Sequence, residues 1–137
     1  MASSYIDQAL ITYARASATV TAVFGATGLY HIMAPEGAAK PYATLRLVAP
    51  ENEIETFDDD AYGQPLFQWT CVSDADKTPC DAFLGAHALL DLYRNFQGAM
   101  DGVQIDDLEI RGPRELTLPG SEDIACIVEL VPHYVEP

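Results

Sequence analysis

"DIACIVELVPHYV", residues 123–135, carries apolar side chains on both sides of an extended chain. Ile124, Cys126, Val128 and Leu130 fall on one side; Ala125, Ile127 and Val131 fall on the other, with Glu129 among them. Strand side chains alternate with period two, so a strand with one wet face shows a polar residue at every second place. This segment reads instead as a central strand, or as one covered by a partner chain. Beyond its proline, Tyr134 and Val135 form an apolar end that either docks on a neighbour or tucks onto its own sheet.

The segments upstream supply neighbours for that strand. Asp101-Gly102 is a tight-turn signal. After it, "VQIDDLEI" alternates Val103 and Ile105 with polar residues, and the phase breaks at Asp106-Asp107 before Leu108, which predicts a bulge. "KTPCDAFLGAHALLDLYRNF", residues 77–96, predicts a helix: Thr78 fits the N-cap, Pro79 the first helical position and Asp81 the first turn. Ala82, Phe83, Ala86, Leu89, Leu90 and Tyr93 would share its apolar face, and Gly98 would help to end it.

Earlier still, "LFQWTCVSD" (66–74) places Phe67, Trp69 and Cys71 on one face of a strand, opposite Gln68 and Thr70. "PYATLRLVAP" (41–50) alternates Tyr42, Thr44, Arg46 and Val48 with Ala43, Leu45, Leu47 and Ala49. These two read as an antiparallel pair joined by a long exposed connection. "GLYHIMAP" (28–35) reads as a short strand. At the N-terminus, Ile6, Ala9, Leu10 and Tyr13 recur at helical spacing; Ser17 caps a second helix carrying Val20, Val23 and Phe24, which Gly25 ends. The expected fold is α+β: a mostly antiparallel sheet with N-terminal helices and one central amphipathic helix packed on one face, in a single domain over residues 1–137.

Charge is distributed unevenly. Residues 1–50 hold three basic and two acidic residues, net +1; residues 51–137 hold four basic and nineteen acidic ones, net −15; the total is −14. Such a chain repels phosphate backbones, which argues against direct nucleic-acid binding. No apolar run approaches the roughly 20 residues of a membrane helix, and the N-terminus shows no basic and apolar regions of a signal peptide, so no membrane association is expected. Cys71, Cys80 and Cys126 are odd in number and widely spaced, which suits small buried residues in a reducing compartment.

The most concentrated charge is "ENEIETFDDD" (51–60), with Glu51, Glu53, Glu55, Asp58, Asp59 and Asp60 and no cation. A calcium-loop register beginning at Asp58 places Gly63 correctly, but puts Tyr62 at the fifth ligand position and Trp69 where a bidentate carboxylate belongs. His31, His87 and His133 form no metal-binding motif, and no nucleophile elbow or phosphate-binding glycine loop occurs. Carboxylates in a water-exposed loop keep ordinary pKa values and make weak general acids. No catalytic residue, metal or cofactor is therefore assigned, and the acidic stretch reads as a solvated, assembly-facing or channel-facing loop. Two rival readings remain. An acidic decoy that imitates DNA and inhibits a nucleic-acid enzyme would require carboxylates at regular phosphate-like spacing, whereas these are clustered. A metal-dependent hydrolase would use the Asp58–Asp60 cluster.

The order "IDQALITYARAS", "ATVTAVFG", "GLYHIMAPEGAAKPYATLRLV", a strand containing Gln68, a capped helix near residue 79 and a closing strand resembles the tail-completion, or tail-terminator, proteins of long-tailed bacteriophages and phage-like particles. Gly25, Gly28, Pro35 and the Pro41-Tyr42 pair carry the likeness, which spans nearly the whole chain; a basic residue often follows the glycine in that family, where this chain has Leu29. The resemblance implies a non-enzymatic virion protein of the tail or neck, assembled in the bacterial cytoplasm. It further implies a ring, usually a hexamer, that ends the tail tube. The implied partners are other copies of itself, the tail tube protein and the head–tail connector or stopper. DNA would pass through without specific binding, and no cofactor would be needed.

Overall fold

The computed structural model describes residues 6–49, 65–74, 81–94, 96–117 and 123–135. In chain order the elements are α1 (Ile6–Arg15), α2 (Ala18–Phe24), β1 (Leu29–His31), β2 (Tyr42–Ala49), β3 (Leu66–Asp74), α3 (Asp81–Tyr93), β4 (Gly98–Met100), β5 (Val103–Thr117) and β6 (Asp123–Val135). The strands form one six-stranded sheet in the order β1-β2-β3-β6-β5-β4. Among the described residues only the β1–β2 pairing is parallel; the other four are antiparallel. The fold is α+β, and the segment with apolar side chains on both faces, β6, lies between β3 and β5 as its pattern requires.

The local signals explain most boundaries. Ser17 accepts a hydrogen bond from the Val20 amide at the start of α2, and Gly25 caps that helix with a φ of 81°. Met100 pairs with Val103 across Asp101 and Gly102, whose φ values of 48° and 89° are those of the two-residue hairpin turn that the Asp-Gly dipeptide favours. The β5–β6 register slips between Ile105 and Asp107, so the bulge falls where the alternation broke; the Asp107 carboxylate accepts the Leu108 amide at 2.9 Å. A second slip lies between Arg111 and Arg114, around the cis Gly112-Pro113 bond.

All three helices share a core with one face of the sheet. Leu10, Val20, Leu45, Trp69, Leu89, Tyr93, Ile105, Val128 and Leu130 are each without solvent exposure. Burying a large side chain of this kind stabilises by about 1.5–3 kcal/mol. Inside this core the Tyr93 hydroxyl donates to the Leu10 carbonyl at 2.7 Å, tying α3 to α1. Burial pushes the Tyr93 phenol well above its ordinary pKa, and the neighbouring Trp69 indole offsets part of that rise.

Two glycines are required by close approach. A Cβ on Gly85 would sit 2.0 Å from the Phe24 ring, so this glycine lets α2 and α3 meet. A Cβ on Gly28 would sit 2.0 Å from the Phe24 carbonyl oxygen, which gives a physical reason for that glycine between α2 and β1. The next residue, Leu29, is buried, and its carbonyl accepts from the Arg15 guanidinium at 2.9 Å.

Several expectations need correction. β1 has three residues rather than spanning 28–35, because Ile32 takes a φ of 78° and leaves the strand geometry. Phe83 is 44% exposed and is not part of the inner face of α3, where Gly85 and Ala88 are buried instead. Gly98 opens β4, five residues after the helix has ended at Tyr93. Leu47 is exposed although Ala43 and Leu45, on its own face of β2, are buried. On α1, Ile11 and Ala14 join the buried stripe, while Tyr13 is half-buried. Tyr134 is buried against Ile105 on its own sheet, which resolves one of the two readings of the C-terminal end. Thr78, Pro79 and Cys80 lie outside the described residues.

Candidate assembly surface

Glu51, Glu53, Glu55, Asp58, Asp59 and Asp60, the residues singled out in the sequence, lie outside the described residues. The structure does fix where their segment is anchored. Ala49 and Leu66 are cross-strand partners on neighbouring strands, so the chain leaves β2 and re-enters β3 at the same end of the sheet.

The other titratable groups do not converge. His31 Nε2 lies 3.1 Å from the Asp7 carboxylate, joining β1 to α1. The His87 ring meets Phe83 edge to face at 4.5 Å on α3. His133 lies 3.9 Å from Glu109 on the β5–β6 ladder. Among the described residues no group of three or more His, Cys, Asp or Glu side chains gathers to hold a metal. Cys71 and Cys126 are register partners on β3 and β6, both buried, and burial raises both thiols above their ordinary pKa. Protonated, sealed thiols are poor nucleophiles and poor metal ligands.

The sheet face turned away from the helices is interleaved in charge. Arg46, Gln68, Glu129 and Arg111 are successive register partners across it, as are Thr44, Thr70, Ile127 and Arg114. Arg114 donates to Glu129 at 3.1 Å, Arg111 lies 3.6 Å from Glu109, and the Gln68 amide donates to Thr70 at 3.0 Å. Arg111 and Arg114 both reach this face, three positions apart, because the slip between them adds one residue to β5. Arg111 and Arg114, paired in this way, leave no continuous basic track for a phosphate backbone among the described residues of this face. At the other end of β6, Lys40 pairs with Asp123, which raises the lysine's pKa.

Sequence reasoning missed the exposed apolar residues. Ile32, Met33, Leu47 and Val48 are 56%, 74%, 53% and 53% exposed. β1 runs parallel to β2 with His31 beside Leu45, and the Ile32 amide donates to the Leu45 carbonyl at 2.8 Å, which ends that pairing. Val48 is the extra residue of a bulge between Leu47 and Ala49, a device that re-aims side chains. A positive φ at a β-branched residue such as Ile32 is sterically unfavourable by about 1–3 kcal/mol. The one available signal was compositional: Ile32, Met33, Leu47 and Val48 sit next to the prolines and acidic stretch that bound their segments, at element ends where burial is least assured. Phe83 and Leu84 form a smaller exposed pair on the outer side of α3. No helix among the described residues is long and apolar enough to cross a membrane.

No family model and no curated protein matches the chain. Its fold does match solved structures. One is a chain of the virion of a native gene transfer agent particle, with a TM-score of 0.71 and 17% identity over 94% of this chain and 93% of that one. Another matches with a TM-score of 0.52 and 16% identity over 97% of this chain and 100% of the other. At these identities the likeness is one of fold, and it extends over nearly the full length of both partners in each comparison.

Proposed function

We propose that this protein is a structural subunit of a phage-like particle, one domain of 137 residues that works by assembly rather than by catalysis. The observation that carries this reading is the near full-length fold match to a chain of a gene transfer agent virion. Interleaved surface charge, scattered histidines and sealed thiols on the described residues fit a protein that binds neighbours and performs no chemistry.

Within such a particle, the element order favours a ring, a hexamer in the family it resembles, at the head-proximal end of the tail. There the subunit would end the tail tube, join it to the connector or stopper, and let DNA pass. A net charge of −14 per copy suits that passage: carboxylates near a duplex release no counterions from it and offer its phosphates no partner. Glu51, Glu53, Glu55, Asp58, Asp59 and Asp60 then serve as bore lining or as part of the face that meets the tube or connector.

Deletion of the gene tests the role. The expected result is heads and tails that fail to join, with tails of abnormal length, and density for this chain at the neck of intact particles by electron cryomicroscopy. Normal-length, head-attached tails without the gene would reject the role.

A further inference from the structure

β3 and β6 are the two central strands of the sheet, and they carry two thiols directly opposite one another. Cys71 and Cys126 are register partners, both without solvent exposure. Register partners share a sheet face, here the one that also carries Trp69 and Val128. Opposed residues of an antiparallel pair have Cα atoms about 4.5–5.5 Å apart, whichever kind of pair they form. A disulfide spans Cα separations of about 4.4–6.8 Å. The backbone therefore already holds the two cysteines at bonding range. Burial raises the pKa of the Cys71 thiol, and the neighbouring Cys126 adds to that rise, an effect that needs close approach.

The row in which they lie runs from sealed to wet. Across the sheet its places are Leu29, Ala43, Cys71, Cys126 and Glu115, in register from β1 to β5. Leu29 and Ala43 are buried, and Glu115 is exposed. Cover over this row thus ends between Cys126 and Glu115. Burial raises the pKa of the Cys126 thiol, and the Glu115 carboxylate adds to the rise, so the thiol stands close to that wet position. Cys126 is the thiol that a small solute reaches first, from the Glu115 side, and Cys71 lies behind it.

We propose that Cys71 and Cys126 form a cross-strand disulfide, closed by a peroxide once the protein leaves a reducing compartment. The Cys126 thiol loses its proton to water and its sulfur attacks one peroxide oxygen. The O–O bond breaks, giving a sulfenic acid and a hydroxide that takes up the proton as water. Cys71 Sγ then attacks Cys126 Sγ, the S–O bond breaks, and hydroxide leaves with the Cys71 proton as a second water. Two thiols are oxidised and one peroxide is reduced to two waters. Both thiols are held protonated, so the reaction is slow at neutral pH and faster in alkali. The new bond closes the loop that contains α3, β4 and β5, which limits the freedom of the unfolded chain. Its timing rests on the particle reading above: subunits would assemble with free thiols in the cytoplasm and gain the bond after release, where disulfides persist.

Purified protein carrying Cys80→Ser keeps these two as its only cysteines and tests the bond directly. The protein is reduced, freed of reductant and treated, folded, with hydrogen peroxide at neutral and at mildly alkaline pH. Both thiols are expected to disappear, faster in alkali, and mass spectrometry should find one peptide pair joined through Cys71 and Cys126. The Tm should rise by roughly 10 °C, and dithiothreitol should reverse the rise. Cys71→Ala in the same background should stop at a Cys126 sulfenic acid, which dimedone traps, with no gain in Tm. If that variant does not fold, the joined peptides and the reversible Tm of the parent decide alone. Thiols that stay free in the folded protein at both pH values would overturn the proposal. So would oxidation of Cys126 beyond the sulfenic acid with no link to Cys71, or a disulfide between two chains. A link that lowers the Tm would overturn its role as a staple. Each of these failures leaves the particle role to the deletion phenotype, and normal tails without the gene would leave the bond in purified protein intact.

Discussion

Two apolar regions of this protein, built from the same kinds of residue, meet opposite fates. Under α3, Trp69, Leu89, Tyr93 and Val128 are sealed between helix and sheet without solvent exposure. At the β1–β2 corner, Ile32, Met33, Leu47 and Val48 are more than half exposed. Along β2 the contrast falls within a single strand face, since Leu45 is fully buried and Leu47 is not. Alternation decides which side a residue faces, but burial also requires another layer over it, and helix cover ends before the strand does. The sealed region stabilises the monomer, and the uncovered one is left available for contact.

The widest separation between the two regions should come from truncation. Trp69→Ala removes the largest fully buried side chain and is expected to destabilise by about 3–5 kcal/mol in urea unfolding. Met33→Ala or Leu47→Ala should stay within about 0.5 kcal/mol under the same conditions. A loss above 2 kcal/mol at the corner would mean that it belongs to the core after all.

Overpacking should separate them next. Gly85→Ala forces a methyl group into the Phe24 ring and is expected to lower stability by about 1–3 kcal/mol, despite the better helix propensity of alanine. Phe24→Leu in that background should recover part of the loss, because it withdraws the colliding ring atoms. Without recovery, the Phe24–Gly85 contact would not be the cause.

Of these two apolar regions, alkaline pH probes the sealed one. Tyr93 and Cys71 hold their protons in the folded protein well above their ordinary values of 10.0 and 9.0, because burial disfavours the charged forms. The unfolded chain releases these protons first, so the native state binds more of them at high pH and stability falls as pH rises. The decline should begin near the ordinary thiol pKa and steepen near that of the phenol, at about 1.4 kcal/mol per pH unit for each proton concerned. Tyr93→Phe, although destabilised by loss of the hydrogen bond to Leu10, should show a shallower decline above the phenol value. An unchanged slope would assign the alkaline sensitivity elsewhere.

The smallest effect should come from Arg46, beside Leu47 in the chain, at neutral pH. Arg46→Gln is expected to leave monomer stability within about 0.5 kcal/mol, since this cation forms no ion pair with a described residue. A larger shift in Tm would give Arg46 a role inside the monomer.

Much of the fold could be read residue by residue wherever the signal is local. Asp101-Gly102 marks its turn because few other dipeptides accept positive φ twice in succession. The broken alternation at Asp106-Asp107 marks the β5 bulge, and the two apolar faces of residues 123–135 mark the central strand. Signals that depend on distant partners were misleading. Phe83 has helical spacing suited to the inner face, yet Gly85 occupies that face because Phe24, on another helix, needs the room. Gly98 sits where a helix terminator belongs, yet α3 has already ended at Tyr93, and the glycine opens an edge strand instead. For the assembly surface, the acidic stretch at 51–60 was plain in the sequence, but the exposed corner was not, because Leu45 and Leu47 are indistinguishable in one dimension.

Composition and periodicity alone were enough to specify an acidic α+β chain, most of its element order, the Asp101-Gly102 turn, the bulge at Asp106-Asp107 and the two apolar faces of its last strand, because each follows from short-range sterics and alternation, whereas β4 and the slips at Leu47/Ala49 and Arg111/Arg114 were not foreseen. Long-range packing was needed to establish which apolar residues stay in water and which glycines permit contact. Those properties depend on where each layer stops, and that is set by residues far apart in the chain meeting in space.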